Sequence, residues 1–83
     1  MGLFNFLFGG RGGRDGSSPE KAVVVGSIGE EYEWMRRHCS GWRPVVQALT
    51  HIDGKPHDTH TLKNDRGEER TLYFDISRFF GQF

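Results

Sequence analysis

The stretch PVVQALTHIDGKPHDTHTLKNDRGEERTLYFDIS, from Pro44 to Ser77, decides the fold. Three runs in it, 44–52, 57–64 and 68–77, carry β-branched and aromatic residues in the alternation expected of strands with one buried face. Asp53-Gly54-Lys55-Pro56 separates the first two runs and Asp65-Arg66-Gly67 the last two, and both have hairpin chemistry. Register follows from requiring every strand to bury one face, because a slip of one residue turns all its side chains over. Two pairings meet that requirement: Ile52 with His57 across a four-residue loop, and Asn64 with Glu68 across a three-residue loop with Gly67 left-handed. They collect Val45, Gln47, Leu49, His60, Leu62, Leu72, Phe74 and Ile76 on one face. Val46, Ala48, Thr50, Ile52, Thr59, Thr61, Thr71 and Tyr73 fall on the other. Moving the second hairpin by one residue sets Glu69, Thr71 and Tyr73 beside Leu62, so the first register is expected.

Upstream, Ser27-Ile28-Gly29-Glu30 has the spacing of a capping box, in which the serine hydroxyl and the glutamate carboxylate satisfy free amides at a helix start. Glu30, Glu31 and Glu33 suit the positive end of the helix dipole, and Arg36, Arg37 and His38 the negative end. Gly41 is the expected stop, with Pro44 shortly beyond. The spacing predicts a helix over 28–39 whose apolar stripe is Ile28, Tyr32, Met35 and Cys39, flanked by Trp34. The apolar run Ala22-Val23-Val24-Val25 reads as a short buried strand. The expected class is α+β: one helix packed on a small sheet, in the order β-α-β-β-β, with an antiparallel three-stranded meander. The first strand joins it through a right-handed crossover, beside either 44–52 or 68–77. Phe79, Phe80 and Phe83 close the chain as a clasp on the core.

Residues 1–19 differ from the rest. Leu3, Phe4, Phe6, Leu7 and Phe8 form an apolar peptide, followed by a stretch rich in glycine and serine that ends at Pro19. The expected division is a disordered apolar peptide plus linker over 1–19 and a single small domain over 20–83. The peptide is too short to span a bilayer. It lacks the basic start and small-residue cleavage site of a secretory signal, and Phe6 stands where a myristoylation signal has Ser or Thr.

The 64 or so residues left for folding make one core and no second domain. Cys39 is the only cysteine, so no disulfide supports the monomer, and a lone thiol fits the cytoplasm. Residues 20–83 hold nine basic against ten acidic side chains, which argues against a nucleic-acid partner because phosphate binding needs a basic surface.

Candidate chemistry is sparse. Zinc needs three or four ligands converging at about 2.0–2.3 Å; His57 and His60 point to opposite faces, while His51 and His60 share a face but not a rung, so no metal site is expected. Val25-Gly26-Ser27-Ile28-Gly29 lacks the lysine of a phosphate loop and the glycines of a dinucleotide fingerprint, so no cofactor is expected either. Cys39 ends its helix where a thiolate is disfavoured, and His38 points about 100° away from it, so no catalytic residue is assigned. One Arg-Gly-Gly unit at 11–13 is too little for an RNA-binding tail. Trp34 and Trp42 are expected to pack as a lid over the sheet.

The expected function is a non-enzymatic binding or assembly module acting on an unidentified protein partner or on itself as a homodimer. The expected docking residues are Leu3, Phe4, Phe6, Leu7 and Phe8 on the peptide, and Thr50, Ile52, Thr59, Thr61 and Tyr73 on the far sheet face. The rivals are an adaptor recruited to a membrane or complex by peripheral contact through residues 1–8, and a small metal-binding or hydrolytic protein using the histidines.

Overall fold

In the computed structural model, which describes residues 14–81, one helix packs on a four-stranded mixed sheet. A 3₁₀ turn at Pro19–Lys21 leads into β1 (Val23–Val24), α1 (Ile28–His38), β2 (Trp42–Ile52), β3 (Lys55–Asn64) and β4 (Glu69–Asp75). The strand order is β1-β4-β3-β2. Strands β2, β3 and β4 pair antiparallel, while β1 lies parallel to β4 with Val23 opposite Phe74 and Val24 opposite Asp75. The antiparallel meander therefore describes three strands of four, and β1 makes the sheet mixed. Since β2 and β4 both oppose β3, β1 and β2 are parallel strands on opposite edges. The connection that contains α1 therefore carries the chain from one edge of the sheet to the other.

Local chemistry sets the helix ends. The Ser27 hydroxyl accepts from Glu30 N at 3.2 Å, and Glu30 Oε1 accepts from Gly26 N at 2.7 Å, so the glutamate reaches one residue further back than the simplest capping box. Cys39 caps the other end, donating its N–H to Met35 O, and Gly41 turns the chain at φ 87°. The helix is rolled relative to the expected stripe. Ile28 and Tyr32 are exposed, whereas Glu31 and Met35 are buried. The cause is His60, which projects from β3 under the helix and draws the Glu31 carboxylate inward.

The second hairpin has the expected register: Lys63 faces Glu69, and Asn64 N donates to Glu68 O with Gly67 at φ 80°. The first is tighter than expected. Ile52 pairs with Lys55, not His57, across a two-residue turn in which Asp53 and Gly54 both take positive φ, 52° and 79°. This backbone follows the right-handed twist of the strands, and Asp-Gly supplies it at low cost. The shift is two residues, so the alternation of faces survives it. A bulge between Pro44 and Val46 then offsets the start of β2.

The core is Val23, Val25, Met35, Cys39, Leu62, Leu72, Phe74 and Ile76, with Trp34, Trp42 and Phe79 packed against it. Trp34 meets the Phe74 ring edge-on at 5.9 Å. Val45 and Leu49, expected beneath the helix, are exposed, because β2 lies at the sheet edge, where α1 extends a side chain to Gln47 but does not cover them. Packing also extends back past residue 20. Gly16 is buried, its carbonyl accepts from Tyr73 N at 2.8 Å, and the Arg14 guanidinium donates to Ala22 O at 2.9 Å.

Candidate functional site

The strand β2 carries the exposed apolar surface. Between Arg43 and Asp53 it contains no charged side chain, and Val45, Val46 and Leu49 are 46 %, 58 % and 54 % exposed. Leu49 and Gln47 lie on the helix side of the sheet, where Tyr32 OH is 3.4 Å from Gln47 Oε1 and Ile28 continues the apolar rim. Phe80 closes the other end, its ring edge-on to His51 at 5.6 Å. Among the described residues β3 is the one sheet neighbour of β2, and they leave its outer edge unpaired.

Directly behind this strip lies a buried polar cluster. His60 Nε2 and Glu31 Oε1 are 2.8 Å apart, and both side chains are fully buried. Glu31 Oε2 is buried with no hydrogen-bond partner among the described residues, and against the effect of burial the nearby Asp58 carboxyl lowers the Glu31 pKa. Two neighbouring carboxyls repel when both are ionised, which favours a proton on one of them. Burial pushes the Asp58 carboxyl up to about 7, reinforced by its bond to Glu31 and the charge there, and opposed by His60 and Gln47. Burial raises Glu31 as well and lowers His60 against the pull of the Asp58 charge. One arrangement satisfies all three groups. Neutral His60 donates its Nε2 proton, and Asp58 as a carboxylic acid donates its own, to a single Glu31 carboxylate.

His60 also forms part of the wall of a cleft of about 190 Å³ shared with Tyr32, Pro44, Val45, Val46 and Gln47. An imidazole oriented by a carboxylate is the arrangement from which a general base is made. None of the lining side chains is a Ser, Thr or Cys nucleophile. Burial holds the Cys39 thiol up at about 12, so it stays protonated. Among the described residues no group of three or more His, Cys, Asp or Glu side chains is placed to hold a metal ion, and no helix is long and apolar enough to cross a membrane.

Of the expected docking residues, Thr50, Ile52, Thr59, Thr61 and Tyr73 lie together on the far face at intermediate exposure. Leu3, Phe4, Phe6, Leu7 and Phe8 lie outside the described residues, as does Phe83. The helix-side strip, with Gln47, Leu49, Ile28 and Tyr32, is absent from the sequence-based set. Its exposure depends on strand order, and Leu49 or Tyr32 reads as core by periodicity. The Glu31–Asp58–His60 cluster was equally hidden, since its members are 27 and 2 residues apart in sequence with no motif linking them. Compared with protein families, curated proteins and solved structures, the chain matches none, so its function is read from this geometry alone.

Proposed function

We propose that the protein is a small non-enzymatic assembly module that engages another polypeptide through the open edge and helix-side strip of β2. The observation that carries this reading is an edge strand without a charged side chain from Pro44 to Ile52 and with three aliphatic side chains about half exposed. Soluble proteins guard such edges with lysines, prolines, bulges or covering elements, because unpaired strand amides and carbonyls template further pairing. Here Pro44 and the bulge guard the start of β2, and among the described residues nothing comparable protects 46–52. Strand addition supplies backbone hydrogen bonds to that stretch, and Val46 and Leu49 supply apolar contact on its two faces.

Position-specific photo-cross-linking tests it. Benzoylphenylalanine in place of Val46 yields one discrete covalent adduct in cells expressing the full chain. The same group in place of Arg36, on the exposed side of α1, yields none. Absence of an adduct at Val46 above the Arg36 background removes the reading.

A further inference from the structure

We infer that the partner at β2 is a second copy of this chain, paired antiparallel about a two-fold axis through Ala48 so that Arg43 of each protomer meets Asp53 of the other. The inference rests on the reading of β2 as an interface, and three features of the strand lead to it.

The first is backbone direction. The two-residue turn makes Ile52 and Lys55 the closing hydrogen-bonded pair. From there the pattern alternates, so the even-numbered residues of β2 back to Val46 direct their N–H and C=O groups at β3. Thr59 Oγ1 donating to Ala48 O at 3.3 Å fits that direction. Gln47, Leu49 and His51 therefore offer their amides and carbonyls to the open edge. In an antiparallel self-pair, outward residues must meet outward residues, which allows a two-fold centred on residue 47, 48 or 49 but none between residues.

The second is charge. The strand is neutral from Pro44 to Ile52 and is bounded by Arg43 and Asp53. Centring the pair on Ala48 brings Arg43 within about one residue of Asp53 of the other copy, twice over. Counting the bulge, centring on 47 moves each charge farther from its complement, while 48 and 49 leave it within about one residue, and packing chooses between those two. The bulge displaces Arg43 by about one residue, roughly 3.3 Å, and turns it to the face that carries Lys63, so the guanidinium meets Asp53 by reaching around the end of the strand beside the turn. Its present partner, Asp65 at 3.7 Å, is almost wholly exposed and competes little.

The third is packing. This centre pairs Gln47 with Leu49 of the second copy on both sides of the axis, forming four ladder hydrogen bonds. It places the small Ala48 methyls against each other where strands approach most closely. A two-fold of this kind is self-complementary and closes, so it ends at a dimer of eight strands instead of continuing into a fibre.

The test uses the full chain in two independent forms. Ala48→Cys forms an intermolecular disulfide, since Cα atoms of a non-hydrogen-bonded pair lie about 4.5 Å apart, within bridging range. Thr50→Cys does not, because the two Thr50 residues lie roughly 13 Å apart along the strands; native Cys39 is buried. Separately, Arg43→Asp and Asp53→Arg each raise the dissociation constant about tenfold or more by sedimentation, as like charges replace both pairs. Mixing the two single variants restores association, because each then presents the complement of the other. Asp53→Arg also loosens a left-handed turn position, and circular dichroism of each variant separates that loss from lost association. A dimer that cross-links through Thr50→Cys, or that shows no recovery on mixing, overturns the register. A wild-type mass of 9.5 kDa at millimolar concentration overturns the second copy, while a Val46 photo-adduct with a different protein leaves the interface itself standing.

Discussion

At the scale of single residues, the proton shared between Glu31 and Asp58 is the most consequential feature. Asp58 holds its proton up to about pH 7 in the folded chain but releases it near 3.8 once unfolded. Between those values the folded state binds a proton that the unfolded state lacks. Stability therefore falls as pH rises through that window, and levels off above about 7. The lowered His60 acts in the opposite sense: its contribution is present above the ordinary imidazole value and is lost as pH falls through the folded one. Asp58→Asn keeps a donor toward Glu31 and removes the acid. Thermal melts of this variant should show a stability at pH 8 equal to or above that of the wild type, with the decline between pH 5 and 8 abolished. An unchanged decline would mean that the proton is not held at Asp58. Removing the imidazole by His60→Leu should instead cost about 1–3 kcal/mol at pH 7, because it strands a buried carboxylate oxygen. Denaturant unfolding measures that loss.

At the scale of elements, the roll of α1 explains why the stripe misled. Ile28, Tyr32, Met35 and Cys39 recur at helical spacing, yet Glu31 occupies the innermost position because β3 offers it a donor there. A buried carboxylate with two donors is tolerable, and its ion-like bond fixes the rotation of the helix about its own axis. The ends of α1 follow from chain chemistry and give a plain expectation: Ser27→Ala removes the acceptor of Glu30 N and should cost about 1 kcal/mol in denaturant unfolding. Glu30→Gln, which retains an acceptor for Gly26 N, should cost less. If the two lose equal stability, the serine is not the dominant cap.

At the scale of the whole molecule, the crossover of α1 from one sheet edge to the other determines what is covered. Phe74 lies at the centre of the core, beneath Trp34 and against the His60 ring at 5.7 Å. Phe74→Ala should cost about 3–5 kcal/mol, a large share of the stability of so small a domain, and a melting temperature equal to wild type would contradict that placement. The N-terminal side of the sheet is closed by Gly16, whose φ of 79° suits glycine and whose added Cβ would collide with the Leu72 side chain. Gly16→Ala should therefore destabilise by about 1–3 kcal/mol. Deleting residues 1–18 should likewise lower the melting temperature relative to deleting 1–13, since it removes the carbonyl bonded to Tyr73 N.

Sequence by itself determined the α+β class, the helix cap at Ser27, the left-handed turns at Gly41 and Gly67, the register of the second hairpin and the burial of Leu62, Leu72, Phe74 and Ile76. Each of these depends on neighbours in the chain or on alternation, and short-range sterics dictate both. The length of the first hairpin turn was less legible, because Asp53-Gly54 closes a two-residue loop and also fits within a four-residue one. Only the tertiary structure decided which edge β1 joins, and with it which strand lies outside the shadow of the helix. Leu49 and Leu62 look alike in sequence, with strand alternation around each. One is exposed and the other buried because strand order is set by the crossover, a contact between residues some fifty positions apart that no local pattern encodes. The same holds for Glu31, Asp58 and His60: their pairing arises from packing α1 on β3, so the surface strip and the proton behind it emerge together from that one long-range contact.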